Sequence, residues 1–166
     1  MTFAYEIKKA NQTHIKDLIN IYHSWGNNPF IKIDEEPYQY FERCMIEGDL
    51  PPIEDASKEK YQLYVVTYHH QIIGYFDLYQ GYPNKNIFWI SIFVIHQNLA
   101  RQGHGKIVLD LIHENFIDQA KYDLGLGVKL KNIHALKFWT KNGFTKVLGV
   151  YGDNDDAVIA LTHKVE

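Results

Sequence analysis

Cysteine is nearly absent from this chain. With Cys44 alone among 166 residues, no disulfide can form within it, which excludes a cystine-stapled scaffold and fits a reducing compartment. Long apolar runs are missing too: none reaches the ~18 residues that mark a spanning helix, so no membrane partner is expected. The opening residues, MTFAYEIKKANQ, hold neither a basic leader nor an apolar signal stretch, and the expected location is cytoplasmic. Dense basic runs are lacking: 17 Lys and Arg are spread against 20 Asp and Glu, so the formal charge of -3 excludes an obvious nucleic-acid surface. No G-x-x-x-x-G-K-[ST] stretch is present, which argues against a nucleoside triphosphatase. His69 and His70 are neighbours without further ligands at metal spacing, and they read as a solvated turn, with no metal expected.

What is present suits one domain spanning residues 1–166, since 46% hydrophobic and 22% charged residues support a sizeable core. Alternation around Phe3, Tyr5 and Ile7 predicts a strand. Thr13 is placed to cap a helix striped by Ile15, Leu18, Ile19 and Tyr22, which Gly26 to Pro29 ends. Asp34-Glu35-Glu36-Pro37 opens a second helix, with Tyr38, Phe41, Cys44 and Met45 on its buried side. In that position Cys44 reads as a small core residue, not as a nucleophile. After a loop from Leu50 to Lys60, residues 61–68 and 72–79 predict a hairpin, and a turn at 81–86 leads into one strand from Ile87 to Ile95.

The chain is organised around the turn that leaves that strand. This polar turn carries Gly103 and Gly105, and an amphipathic helix with Ile107, Val108, Leu111, Ile112 and Phe116 comes next. A glycine turn between strand and helix leaves the first helical N–H groups without internal partners, and together with the positive helix end they make an anion site. Lys106 adds a cation at its mouth. Beyond it lie a strand at 123–129, a helix at 132–142 stopped by Gly143, and two strands at 144–151 and 157–165. The predicted fold is mixed α/β, with a mostly antiparallel central sheet and helices on both faces.

Ala100-Arg101-Gln102-Gly103-His104-Gly105 is similar to the R/Q-x-x-G-x-G/A loop of the GNAT N-acetyltransferases, and Asn132, Ala135, Phe138, Trp139, Gly143 and Phe144 resemble that family's second signature. The resemblance covers nearly the whole chain. It implies acetyl-CoA as the donor and a small-molecule or peptide amine as the acceptor, attacked directly in a ternary complex. It further implies that the main chain of Phe93 and Ile95 holds the pantetheine arm along a splayed strand. Amides from Arg101, Gln102, Gly103, His104, Gly105 and Lys106 would hold the pyrophosphate, with bulk at Gly105 blocking that approach. Asn132 would bind the arm, cap its own helix, or do both, and Trp139 would contact the cofactor or pack.

Two departures stand out. Ala100 replaces the motif's first basic residue, and Trp139 stands where a tyrosine often protonates the leaving sulfur, although an indole N–H cannot serve as that acid. The carboxylate often found on the central strand also has no match. Ser91 and His96 are the candidate catalytic residues there, the first as a proton relay and the second as a base; Tyr79, Tyr82 and Tyr151 could bring a hydroxyl. The acidic excess between Asp34 and Asp49, over the sheet, points to a cationic amine. A module that binds acetyl-CoA without turnover is the alternative, and homodimerisation is left open.

Overall fold

The computed structural model describes residues 4–117 and 122–163. Its centre is a hairpin of β2 (Tyr61–Tyr68) and β3 (Gln71–Gln80). His69 and His70 form the two-residue turn, both at positive φ (48° and 67°), the conformation whose twist matches that of the flanking strands. β1 (Tyr5–Lys9) lies along β2, and β4 (Ile87–Ile90) and β5 (Phe93–Ile95) lie along β3. The sheet continues through β6 (Asp123–Lys129) and β8 (Val158–His163) to β7 (Phe144–Tyr151) at the edge, in the order β1-β2-β3-β4-β6-β8-β7. Every pairing is antiparallel except β4 with β6, where the chain crosses over through α3 before β6.

Helices cover both faces. α1 (Ile15–Ser24) and α2 (Pro37–Ile46) set Ile15, Leu18, Ile21, Phe41 and Cys44 against Leu63, Val65 and Tyr75. On the opposite face, α3 (His104–Ile112) and α4 (Ile133–Lys141) set Val108, Ile112 and Trp139 against Phe76, Ile90, Leu124 and Leu126. Each fully buried large side chain stabilises the fold by ~1.5–3 kcal/mol. The mixed sheet with helices on both faces is the architecture expected from the sequence.

Several local expectations are corrected. Asn11, not Thr13, caps the first helical segment, its side chain accepting from Thr13 N–H at the start of a short 3-10 turn that precedes α1. The buried arc of α2 centres on Phe41 and Cys44 and draws in Tyr40, which leaves Tyr38 exposed at the rim. Ile107 is exposed, since α3 turns Val108 and Ile112 inward. Phe3 and Val165 lie outside the described residues. The stretch from Ile87 to Ile95 is two strands, not one, and that break builds the site.

Candidate active site

β4 pairs with β6 from Ile87↔Asp123 to Ile90↔Leu126 and no further. Past that point β5 keeps only β3 as a neighbour, while β6 runs on beside β8 through Lys129. A gap therefore opens between β5 and the far half of β6. Asp77 N–H donates to the Ile92 carbonyl (3.2 Å) and His96 N–H to the Ile73 carbonyl (2.8 Å), so alternate residues of this segment turn their main chain to β3. Phe93 and Ile95 then turn theirs toward the gap. The Ile95 carbonyl accepts the Trp25 indole N–H from the end of α1, at 2.8 Å.

The break has a definite cause. Phe88 and Ile90 face α3 and α4, as do Phe93 and Ile95, whereas Trp89, Ile92 and Val94 face α1 and α2. Alternation resumes one residue late, which is a bulge at Ser91-Ile92. Asp77, on β3 and 1% exposed, holds it there. Its carboxylate accepts from Ser91 N–H (2.8 Å), Ser91 Oγ–H (2.5 Å) and Ile92 N–H (3.1 Å). Burial pushes this carboxyl up to about 6, against the pull of those donors and of the Tyr61 hydroxyl. Ser91 itself is exposed, so the pair joins the protein surface to a buried acid.

Asp77 escaped the sequence reading. A signal was there: it is the single charged residue of QIIGYFDLYQ, a strand otherwise buried on both faces, where an unpaired charge is costly. Behind Asp77, the Tyr61 hydroxyl is buried beside the carboxylate and the Cys44 thiol, with no hydrogen bond of normal geometry. Burial pushes the Cys44 thiol up to about 11, consistent with an inert core residue. The Tyr40 hydroxyl donates to Asp49 at 3.3 Å.

At the other end of the gap, Gln97–Leu99 form a short turn, Arg101 sits at φ 63° and Gly103 at φ 89°, and α3 begins with no capping side chain. The leading amides of α3, at His104, Gly105 and Lys106, are the free donors of an uncapped helix. A Cβ at Gly103 would meet nothing within 4 Å, whereas one at Gly105 would stand 3.0 Å from the Phe138 ring. Gly105 thus also permits close packing against Phe138 of α4. His104 turns inward, its Nδ1 2.6 Å from the Tyr5 hydroxyl, and Lys106 pairs with Asp110 at 2.8 Å. Gln102 donates to the Asn98 carbonyl.

The structure brings Phe93, Gly105, Phe138 and Trp139 into one cluster: Trp139 is 8% exposed, with its ring 5.2 Å from Phe93 and 5.1 Å from Phe144. Ser91 lies across the strand, toward α1 and α2. His96 Nδ1 accepts from Asn98 N–H at 3.2 Å and so caps the turn. Asn132 caps α4 through Ala135 N–H at 3.2 Å. The Tyr79 hydroxyl accepts from Ser57 N–H, Tyr82 packs on Trp89, and Tyr151 is exposed on the edge strand.

Much of the acidic excess of α2 is consumed locally. Glu36 caps the helix, Glu35 pairs with Arg43 at 2.6 Å, and Asp34 lies 3.7 Å from Lys32. Glu42 and Glu47 remain, with Gln39, Arg43 and Ile46 in a shallow groove on the outer side of α2, opposite Phe41 and Cys44. Glu42 and Glu47 therefore face away from the sheet, while Asp49 reaches the packed side of α2 through the Tyr40 hydroxyl. No helix among the described residues is long and apolar enough to cross a membrane, and no group of three or more His, Cys, Asp or Glu among them could hold a metal ion.

A family model described as the acetyltransferase (GNAT) family matches residues 19–144. Among solved structures, a Salmonella typhimurium acetyltransferase that modifies the N-terminal serine of ribosomal protein L7/L12 superposes with a TM-score of 0.75 at 12% identity, over 99% of this chain and 96% of that one. A spermidine N-acetyltransferase SpeG chimera from Vibrio cholerae and hSSAT gives 0.68 at 14%, over 96% and 94%. The PaiA N-acetyltransferase of Thermoplasma acidophilum, in complex with coenzyme A, gives 0.62 at 18%, over 95% and 98%. No curated protein sequence matches.

Proposed function

Because this chain belongs to the GNAT acetyltransferase family, we propose that it moves an acetyl group from acetyl-CoA to the nitrogen of a primary amine, by direct attack in a ternary complex. One observation carries the reading: a gap between β5 and β6 opens on main-chain groups that no strand pairs, the Ile95 carbonyl being held by the Trp25 indole, and lies beside an uncapped helix start. The fit is chemical. A pantetheine arm offers amides that pair with a strand edge, and a pyrophosphate needs several N–H donors with little side-chain bulk around them. The first need suits Phe93 and Ile95, and the second suits the amides from Arg101 to Lys106 around Gly103, whose side-chain direction is open. When bound, acetyl-CoA supplies a thioester carbonyl that an amine can attack.

This chain's residues then align and deprotonate. The Phe93 N–H is aimed where a carbonyl oxygen on the strand edge would gather negative charge. Trp139 closes the aromatic side of that position and supplies no acid. Asn132 orders the start of α4, with its amide nitrogen left to donate toward the arm. Ser91, exposed beside the bulge, is the group that takes the amine proton. His96 spends Nδ1 on its cap and retains only Nε2, so it serves to shape the turn after β5. Proteins of the same fold act on a protein N-terminal serine and on spermidine, both of them amines. Glu42 and Glu47, on the outer side of α2, favour the approach of a cationic acceptor over an anionic one only through their field.

The test is a panel of polyamines, amino acids and lysine- or N-terminal-amine peptides, assayed for coenzyme A release and product mass. Acetylation of a cationic amine is the expected result. Tight acetyl-CoA binding by calorimetry with no acetylated product from any amine would overturn the enzymatic reading in favour of a binding module.

A further inference from the structure

We propose that Tyr5 is a positioning residue for the acetyl-CoA phosphates: its hydrogen bond to His104 ties the glycine loop to the sheet and holds the leading amides of α3 in place. The inference rests on the acetyltransferase reading. It adds a residue on β1, 99 positions earlier in the chain than the loop it serves.

The need for an anchor is local. Residues 103–105 read Gly-His-Gly, so His104 alone among them has a side chain. Gly103 takes the N-cap position of α3 without a side-chain hydrogen bond, where a serine or aspartate would fix the first turn itself. A glycine on either side of His104 also leaves this turn more conformational freedom to lose. The loop is bent into unfavourable backbone as well, since Arg101, which is not a glycine, sits at φ 63°. A residue held there persists only where its surroundings fix it. The bond from Gln102 Nε2 to the Asn98 carbonyl, at 2.9 Å, ties the loop to its own preceding turn and to nothing outside.

Contacts from other elements fix the two ends. At the entry, Gln97 N–H donates to Ser24 Oγ at the end of α1, at 3.0 Å. At the exit, His104 turns under α3, 9% exposed, with Nδ1 2.6 Å from the Tyr5 hydroxyl. Tyr5 pairs with Tyr68 across β1 and β2, and their rings lie 5.8 Å and 5.1 Å from the His104 ring. The imidazole thus rests on two tyrosine rings, which set its depth, while the hydrogen bond sets its rotation. His104 Cα stands between the His104 and Gly105 amides, so fixing the side chain fixes both donors. A phosphate gains most from amides that already converge before it arrives. Where a loop spends time in other arrangements, its apparent affinity falls in proportion to the competent fraction. Tyr5 therefore acts on acetyl-CoA through His104 and need not touch it.

Tyr5→Phe tests this, since it keeps the ring and removes the hydroxyl. Tyr68→Phe makes the same change in the neighbouring ring, whose hydroxyl is not the one that meets His104. Calorimetry with acetyl-CoA is expected to show about three- to tenfold weaker binding in Tyr5→Phe and unchanged binding in Tyr68→Phe. Hydrogen exchange of the amides of residues 103–106 is expected to speed up in Tyr5→Phe alone. His104→Leu is expected to lose affinity as Tyr5→Phe does, and His104→Asn, whose side-chain amide reaches the place of Nδ1, to recover part of it. Wild-type affinity in a folded Tyr5→Phe protein would overturn the anchor, and so would an equal loss in Tyr68→Phe, which would mean a general loosening of the ring cluster. Should Tyr5→Phe fail to fold, the His104 pair decides, and equal affinities of His104→Leu and His104→Asn would overturn it too. Failure of the wild type to bind acetyl-CoA would instead remove the reading on which the anchor rests.

Discussion

The two faces of the sheet are made from the same strands and differ in chemistry. Toward α3 and α4 the interior is aromatic and dry, with Phe76, Phe93, Phe138, Trp139 and Phe144 packed ring against ring. Toward α1 and α2 the same strands carry Tyr61, Tyr75, Asp77 and Tyr79, facing Tyr40 and Cys44. The division teaches that one backbone can pack rings on one side and hold buried polar groups among its apolar residues on the other. Removing a whole ring is costly on the dry face, whereas the polar face tolerates changes of shape better than changes of charge.

The largest effect that would break this contrast is on the dry face. Phe144, fully buried, contacts Trp139 and His163, and Phe144→Ala is expected to cost ~3–5 kcal/mol through its cavity. Urea unfolding measures it. Next is the charge of Asp77. Its folded value of about 6 lies above that of an unfolded aspartate, so its contribution is full below pH 4 and is lost as pH rises through 6. Relative to Asp77→Asn, the wild type is expected to lose about 3 kcal/mol between pH 4 and 7.5, read from unfolding curves of both proteins at matched pH. A difference independent of pH would mean that the carboxyl stays charged throughout.

Two glycines sharpen the contrast further. Gly103→Ala meets only the ~1–2 kcal/mol strain of a left-handed residue, and its new methyl faces the open side, so calorimetry is expected to show weaker acetyl-CoA binding with modest loss of stability. Gly105→Ala presses on the Phe138 ring and is expected to lower the melting temperature more than Gly103→Ala does. The smallest effect belongs to Trp139→Phe, which keeps an aromatic ring against Phe93 and costs ~1–1.5 kcal/mol. Most turnover is expected to remain, because an indole supplies no acid; a pure loss of kcat at unchanged binding and melting temperature would contradict that.

Elements bounded by glycine, proline and period were legible in the sequence: the hairpin, Pro37 at the start of α2 and Gly143 at the end of α4 all stand where local chemistry puts them. The glycine turn that opens α3 was legible for the same reason. Asp77 was not, because its role depends on which strand lies beside β3 and in what register, and its partners Ser91 and Ile92 come 14 and 15 residues later. Ser91 could be named as a candidate without its acid being visible. The local partners of the acidic residues were not legible either, since a count of charges says nothing of the cap made by Glu36 or of the Glu35–Arg43 pair. The role of Gly105 likewise needed the position of Phe138.

The hydrogen bond from Trp25 to the Ile95 carbonyl gives the protein an optical reporter of its own. Of its three tryptophans, Trp139 is enclosed among phenylalanines and Trp89 lies edge-on to Tyr82, while Trp25 alone donates its indole proton to the main chain facing the gap. Indole emission responds to what the ring N–H is bonded to. Anything that enters beside β5 and disturbs that carbonyl should shift the Trp25 contribution without any label, and a Trp25→Phe protein identifies which part of the spectrum is its own.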